Sequence, residues 1–303
     1  MDFRTLRYVV AIAEHQNITK AAESLYVGQP TLSKFLISLE NELGLKLFRR
    51  MGHRYTLTYA GERYVARARQ ILQLGEDLDA EMSDILKRDV GVLRVAFAPM
   101  RGSYMLPIVL PEFQLRHPNV KITVLEGNSE LNDRRLLNGE ADLAFYSKPA
   151  ETNPLIEYTT LAQEELLLCT GQNHPLGRLA RTVPGSPYPH LDLSLLKDER
   201  VLLLMPSQRT RQITDAVLHE NRIQLNDPLI SSNMQAIMGL VAGGYGVSFL
   251  FDCHLRHRVD RRRIECYRFG EKKTLCDFVA ASRKGSYLPY YAQDFIDIVK
   301  NAV

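Results

Sequence analysis

Over residues 3–15, apolar side chains recur at Phe3, Leu6, Val10 and Ala13, three and four positions apart. That spacing puts one apolar face on a helix. Asn17 and Thr19 are capping types and open a second helix over about residues 20–25, where Ala21 and Ala22 leave room for a neighbouring helix. The run Val27-Gly28-Gln29-Pro30 then interrupts the pattern. Gly28 admits backbone angles closed to other residues, and Pro30 suits the first turn of a new helix. The third helix carries Leu32, Leu36, Leu39 and Leu43 as its buried stripe and ends at Gly44, a C-terminal cap.

Two short helices joined by a glycine turn beneath a third form a helix-turn-helix pattern. In that arrangement the N-terminal residues of the second helix of the pair meet base edges in a major groove. Here they are Gln29, Thr31, Ser33 and Lys34, small hydrogen-bonding groups plus one cation, as edge readout and phosphate contact require. Periodicity alone fits a three-helix bundle with a polar surface equally well. Residues 47–58 favour the helix-turn-helix. Leu47-Phe48-Arg49-Arg50, Met51-Gly52-His53-Arg54 and Tyr55-Thr56-Leu57-Thr58 read as strand, basic glycine turn and returning strand. Such a wing lays Arg50, His53 and Arg54 along phosphates or into a minor groove.

Thr58 is a plausible cap for a long helix over residues 59–87, along which Tyr64, Ala68, Ile71, Gly75, Leu78, Met82 and Ile85 alternate at spacings of four and three. A heptad-like seam of this kind has nowhere to go within a 60-residue module, and a partner helix from a second subunit is the natural solution. The alternative is packing on the domain that comes next in the chain.

From Gly91 onward, strands alternate with helices. Strands are expected at 92–98, 121–126, 141–146, 166–170, 201–205, 229–231, 246–251 and 275–281, and helices at 104–117, 129–138, 210–221, 234–242 and 290–301. This alternation gives largely parallel sheets covered by helices. Two lobes crossed by two connecting strands, near 162–166 and 266–274, fit a periplasmic-binding-protein-like architecture. The expected fold is therefore α/β overall, with three parts. A winged helix-turn-helix occupies 1–58, a linker and dimerisation helix 59–89, and a two-lobed domain 90–303. Lobe I takes about 90–162 and 268–303, and lobe II about 163–267.

Ligands of open α/β sheets sit at the carboxyl ends of strands, beside helix N-termini. Four junctions qualify. They are Pro99-Met100-Arg101-Gly102-Ser103, Gly127-Asn128-Ser129, Ser207-Gln208-Arg209-Thr210, and Gly246-Val247-Ser248-Phe249 near Ser232-Asn233-Met234. Arg101 and Arg209 add cations from opposite lobes, which suggests a small anionic effector, a carboxylate, held between them. Residue by residue, Ser103, Asn128, Ser129 and Thr210 also read as helix caps, and the arginines as solvated. The expected effector set is Pro99, Met100, Arg101, Ser103, Asn128, Ser129, Tyr146, Arg209, Thr210, Gly246 and Phe249.

Charge distribution sharpens the division. Residues 1–69 hold eleven Lys/Arg against six Asp/Glu, whereas 70–90 hold six acids against Lys87 and Arg88. A basic module joined to an acidic segment suits a polyanion partner for the first part alone. No stretch resembles a signal peptide, and no run approaches the roughly 18 apolar residues of a membrane span, so a cytoplasmic protein without membrane contact is expected. The four cysteines lack metal-type spacing, and His254 and His257 lie among arginines that repel a metal ion. Cys266 and Cys276 stand where neighbouring strands would bring them face to face, although inert buried thiols are the favoured reading. The motifs of serine hydrolases, zinc proteases and phosphate-binding loops are missing. No catalytic residue, cofactor or metal is expected, and an enzyme or a solute-binding protein on the same scaffold would leave the first module unexplained.

The ordered string Ile18-Thr19-Lys20-Ala21-Ala22-Glu23-Ser24-Leu25, Gln29-Pro30-Thr31-Leu32-Ser33-Lys34, Leu39-Glu40-Asn41-Glu42-Leu43-Gly44, Leu47-Phe48-Arg49-Arg50 and Leu57-Thr58-Tyr59-Ala60-Gly61 resembles the N-terminus of the LysR-type transcriptional regulators. The resemblance covers nearly all of the first 60 residues. It implies a recognition helix bearing Gln29, Pro30, Thr31, Ser33 and Lys34, and a wing bearing Arg50 and Arg54. With Thr19 and His53 these make up the expected DNA-contacting set. It also implies double-stranded DNA as a partner, an effector in the inter-lobe cleft, a homodimer through the linker helix, a homotetramer of such dimers, and RNA polymerase as a partner if the protein is an activator. Phe35, Ile37, Gly28 and Tyr59 depart from the family pattern.

Overall fold

The computed structural model describes residues 2–52, 54–86, 90–256 and 263–303, and the chain divides into two compact units. The first holds residues 1–88 with the short segments 137–140 and 285–289. Three helices lead, α1 (Phe3–His15), α2 (Ile18–Ser24) and α3 (Gln29–Leu43), followed by the hairpin β1 (Phe48–Met51) and β2 (Arg54–Leu57) and the long helix α4 (Tyr59–Ile85). Asp2 accepts the Thr5 amide at the start of α1, and Asn17 accepts the Thr19 and Lys20 amides at the start of α2. Gly28 precedes α3, with Pro30 in its first turn, and Gly44 ends it at a φ of 65°, a value that favours glycine. Leu6, Val9, Ile12, Ala21, Leu32, Leu36, Leu47, Val65 and Ala68 fill the core between these elements.

Glu40 ties the hairpin to α3. Its carboxylate is buried and accepts the backbone amides of Leu47 (2.9 Å) and Phe48 (3.1 Å), while Lys46 closes an ion pair on its other oxygen at 2.7 Å. Thr58 caps α4 by accepting the Gly61 amide at 3.0 Å. Gly61 has to be glycine, since a Cβ there would lie 1.9 Å from the Leu47 carbonyl oxygen.

The seam of α4 is divided between two fates. Tyr64, Val65, Ala68 and Leu72 pack into the core of their own unit. Gly75 lies against the Phe3 ring, where a Cβ would come within 2.8 Å of it. The sequence pattern assigns the whole stripe to a partner helix, but α1 covers its first half. Ile71, Leu74, Leu78 and Met82 remain exposed on the second half.

The second unit holds the α/β part. In chain order it comprises β3 (Gly91–Phe97), α5 (Pro99–Arg116), β4 (Val120–Glu126), α6 (Ser129–Leu137), β5 (Leu143–Ser147), β6 (Ile156–Gly171), β7 (Val201–Leu204), α7 (Arg209–Glu220), β8 (Leu229–Ser231), α8 (Met234–Ala242), β9 (Val247–Phe251), α9 (Cys253–Arg256), β10 (Ile264–Tyr267), β11 (Leu275–Arg283) and α10 (Tyr290–Asn301). Strand order is β4-β3-β5-β11-β6-β9-β7-β8, with β10 also on β6. The β4-β3-β5 and β8-β7-β9 sets are parallel, and β11, β6 and β10 join them antiparallel. β6 serves both lobes. Through Glu165 it pairs with β11, and from Leu166 onward with β9 and β10. The chain crosses back between β10 and β11, where Thr274 accepts the Leu166 amide at 2.8 Å.

The connecting strand expected near 266–274 is confined to β10, and α9 has no counterpart in the sequence pattern; two further elements begin earlier than that pattern places them. α5 begins at Pro99, five residues before Tyr104, because proline fits the first turn and draws the expected loop into the helix. β6 is sixteen residues long. Its first part is polar and half-exposed, so it carries little hydrophobic signal.

Candidate functional site

Two sites emerge on this scaffold. In the first unit, the start of α3 presents Gln29, Pro30, Thr31 and Lys34 to solvent, with Ser33 half-buried. Thr19, at the start of α2, is exposed as well. Arg50 and Arg54 are exposed on the hairpin, where the Arg50 Nε donates to the Gly52 carbonyl at 2.9 Å. The Arg54 Nε donates to the Gln16 side chain at 2.5 Å, which fixes that guanidinium beside the end of α1. The Glu40 clamp ties the C-terminal end of α3 to the base of the hairpin, and the helix start and the hairpin arginines are both exposed. Phe35 packs edge-on against Tyr8, with ring centroids 5.0 Å apart, and belongs to the core rather than to that surface. His53 and residues 257–262, including His257, lie outside the described residues.

The second site is a cavity of about 710 Å³ between the lobes. The first turns of α5, α6, α7 and α8 all open onto it, through Pro99 and Met100, Ser129, Arg209 and Thr210, and Met234 and Gln235. Four helix N-termini direct the positive ends of their dipoles at one space. Asn128 caps α6 by accepting the Leu131 amide at 2.9 Å. Ser103 spends its hydroxyl hydrogen on the Met100 carbonyl at 2.7 Å. The Tyr146 hydroxyl donates to Asp133, which also accepts from Tyr158, so Tyr146 offers the cavity its ring. The Arg209 Nε crosses from lobe II to the Lys148 carbonyl of lobe I at 2.9 Å.

Three of the expected effector residues need correction. Arg101 borders the cavity, but its charge is already used. It is buried, forms a bidentate pair with Glu164, and lies 3.8 Å over the Phe278 ring. Gly246 and Phe249 are not on the cavity wall. Gly246 precedes β9 at the end away from the cleft, against the Arg200 carbonyl, and Phe249 is buried in lobe II edge-on to Phe269. It is the carboxyl end of β9 that reaches the cleft, and the residue it delivers is His254.

His254 is fully buried on its Nδ1 side, with no partner for that atom. Burial first, then the Arg101 charge, pulls its pKa down to about 3, so the ring is neutral. Sequence reasoning also passes over Arg134, Leu131, Ser147 and Met205, which line the cavity too. Arg134 is exposed on α6 and has no hydrogen-bond or ion-pair partner among the described residues. In the sequence it stands among other polar residues and reads as part of a solvated face. Only the direction of α6 reveals it.

Cys266 and Cys276 do not face each other. β10 and β11 both pair with β6, which sets Cys266 opposite Cys169 and Cys276 opposite Glu164.

Comparison with known proteins bears on both sites. Residues 3–62 match the family described as "Bacterial regulatory helix-turn-helix protein, lysR family", and residues 87–303 match "LysR substrate binding domain". The chain is 29% identical to the uncharacterized HTH-type transcriptional regulator YybE of Bacillus subtilis (strain 168), over 83% of each chain. It is 30% identical to the Hca operon transcriptional activator HcaR of Escherichia coli (strain K12), over 82% of this chain and 81% of that one. Among solved structures, a full-length OxyR variant from Pseudomonas aeruginosa superposes with a TM-score of 0.79 at 25% identity, over 99% of this chain and 95% of the other. Among the described residues, no helix is long and apolar enough to cross a membrane.

Proposed function

The chain belongs to the LysR family of bacterial helix-turn-helix regulators, and on that footing we propose that its effector is a small organic carboxylate with an apolar body. The protein is a DNA-binding transcriptional regulator with a C-terminal effector-binding domain, and not an enzyme. One observation carries the effector reading: among the described residues, none that lines the inter-lobe cavity is acidic, whereas Arg134 and Arg209 and four helix N-termini face it. An anion gains from every one of those groups. Met100, Met205, Met234, Leu131 and the Tyr146 ring supply the adaptable apolar wall that a hydrocarbon or aromatic body requires.

In this reading residues 1–58 hold the DNA, 59–89 link and dimerise, and 90–303 sense the effector. Gln29, Thr31 and Ser33 address base edges, and Lys34, Arg50, His53 and Arg54 address phosphates. The exposed stripe Ile71, Leu74, Leu78 and Met82 pairs with its copy in a homodimer, and two dimers form the tetramer that spans an operator. The protein works in the cytoplasm, where duplex DNA is, and engages RNA polymerase if it activates.

Thermal unfolding of the full chain with a panel of carboxylates and their uncharged amides tests the effector class, because a ligand of the folded state raises the melting point. Carboxylates should shift it and amides should not. In the double variant R134E/R209E the shift should vanish. Shifts by the amides alone, or a carboxylate shift that survives the double variant, overturn the reading.

A further inference from the structure

Cys169 on β6 and Cys266 on β10 are direct partners in an antiparallel ladder, with sulfurs 3.4 Å apart. Directly opposed residues of an antiparallel ladder have Cα atoms about 4.5–5.5 Å apart, within the Cα separation a disulfide spans, so rotation of the two side chains brings the sulfurs together. The environments of the pair are unequal. Cys169 is sealed in the lobe II interior. Cys266 is half-buried and lines a second cavity of about 420 Å³, beside Tyr188, Glu265 and Tyr267. The remaining thiols lack such a partner. Cys253 lies 3.8 Å from an Arg101 nitrogen, and Cys276 lies 3.9 Å from the Lys148 carbonyl oxygen.

We propose that Cys169 and Cys266 form an oxidation site, at which a hydroperoxide entering the lobe II cavity converts the two thiols to an intramolecular disulfide. The accessible sulfur reacts first. Cys266 attacks one peroxide oxygen, the O–O bond breaks, and its thiol proton leaves with the displaced oxygen as water or an alcohol. Cys266 becomes a sulfenic acid, its sulfur oxidised by two electrons. The Cys169 sulfur then attacks the Cys266 sulfur. The S–S bond forms, the S–O bond breaks, and the hydroxyl departs with the Cys169 proton as water. In sum, two thiols give up two electrons and two protons to one hydroperoxide. Burial first, then the neighbouring Cys266, pushes the Cys169 thiol well above its ordinary pKa, which keeps it protonated and leaves the first attack to Cys266. The bond ties together the two strands that carry the chain to its crossings between lobes.

The test uses the reduced full-length protein and hydrogen peroxide. After exposure, free thiols are blocked with N-ethylmaleimide, and a non-reducing digest is mapped by mass spectrometry. The expected product is a peptide pair joined through Cys169 and Cys266, with Cys253 and Cys276 alkylated. In C169S, Cys266 should stop at the sulfenic acid and be trapped by dimedone, and in C266S, Cys169 should stay alkylated. Four alkylated cysteines in the treated wild-type chain, a dimedone adduct at Cys266 without the link, or a link through any other cysteine would overturn the proposal.

Discussion

Arg101 and Glu164 meet in a bidentate ion pair, at 2.8 and 2.7 Å, with both side chains cut off from solvent. Arg101 stands in the first turn of the first lobe I helix, and Glu164 on the strand that passes from one lobe to the other. The pair therefore forms a structural floor beneath the cleft, and its positive charge is cancelled before any ligand arrives.

Removing one member should leave an uncompensated buried charge. We expect E164Q to lower unfolding free energy by about 3–5 kcal/mol. The double variant R101M/E164L should recover much of that loss, since an apolar pair of similar size has no desolvation cost to offset. Urea denaturation of both variants measures the difference. Equal losses in the two would show that the pair is not what holds this floor.

Binding of DNA should fall steeply with salt, because each phosphate contact releases a counterion. K34A and R54A should each reduce the slope of log K against log salt by about 0.9 while leaving sequence preference intact. Q29A, at the exposed start of α3, should instead relax sequence preference with little change in slope. Fluorescence anisotropy over a range of potassium chloride reads both quantities, and an unchanged slope in K34A would remove that lysine from the interface.

Leu78 is 56% exposed on the long helix, on a stripe whose other members are also apolar, and in the proposed homodimer a second copy covers it. L78E should shift the full chain to monomer in sedimentation velocity. It should leave the melting of the N-terminal core unchanged, because Leu78 contributes nothing to that core. A dimer that survives L78E has its interface elsewhere.

Acid should destabilise the effector domain through His254. The folded-state pKa is pulled down to about 3 by burial and by Arg101, against about 6.5 for the unfolded chain. Between those values the unfolded state binds the extra proton. Stability is thus complete above about pH 6.5 and is lost as pH falls toward 3, by up to about 1.4 kcal/mol per pH unit. H254Q should flatten the change in urea midpoint between about pH 7 and pH 5. A wild-type midpoint that holds steady over that interval would contradict the assignment.

How much the residues reveal depends on how local each signal is. The three leading helices, their caps at Asn17 and Gly44, and nearly every α/β element are set by interactions within a few positions, and all are visible in spacing and capping types. The start of α3 as an exposed surface is legible for the same reason. The pattern misjudges Arg101 because a cation in a helix's first turn looks alike whether it faces a ligand or a buried carboxylate 63 residues away. A glycine turn points to Gly246 and Phe249 as cleft residues, but the run of β9 puts its other end there. Arg134 carries no periodic signal at all.

Residue order alone thus accounts for the elements, the basic first module and the family likeness, because helix and strand patterns and backbone caps depend on neighbours in the chain. Folding in three dimensions was needed to neutralise Arg101, to turn Arg134 and His254 toward the cavity, to cover half of the long helix with its own unit, and to pair Cys169 with Cys266. Each of these is a meeting of residues far apart in the chain, settled by strand order and helix direction, which no local spacing encodes.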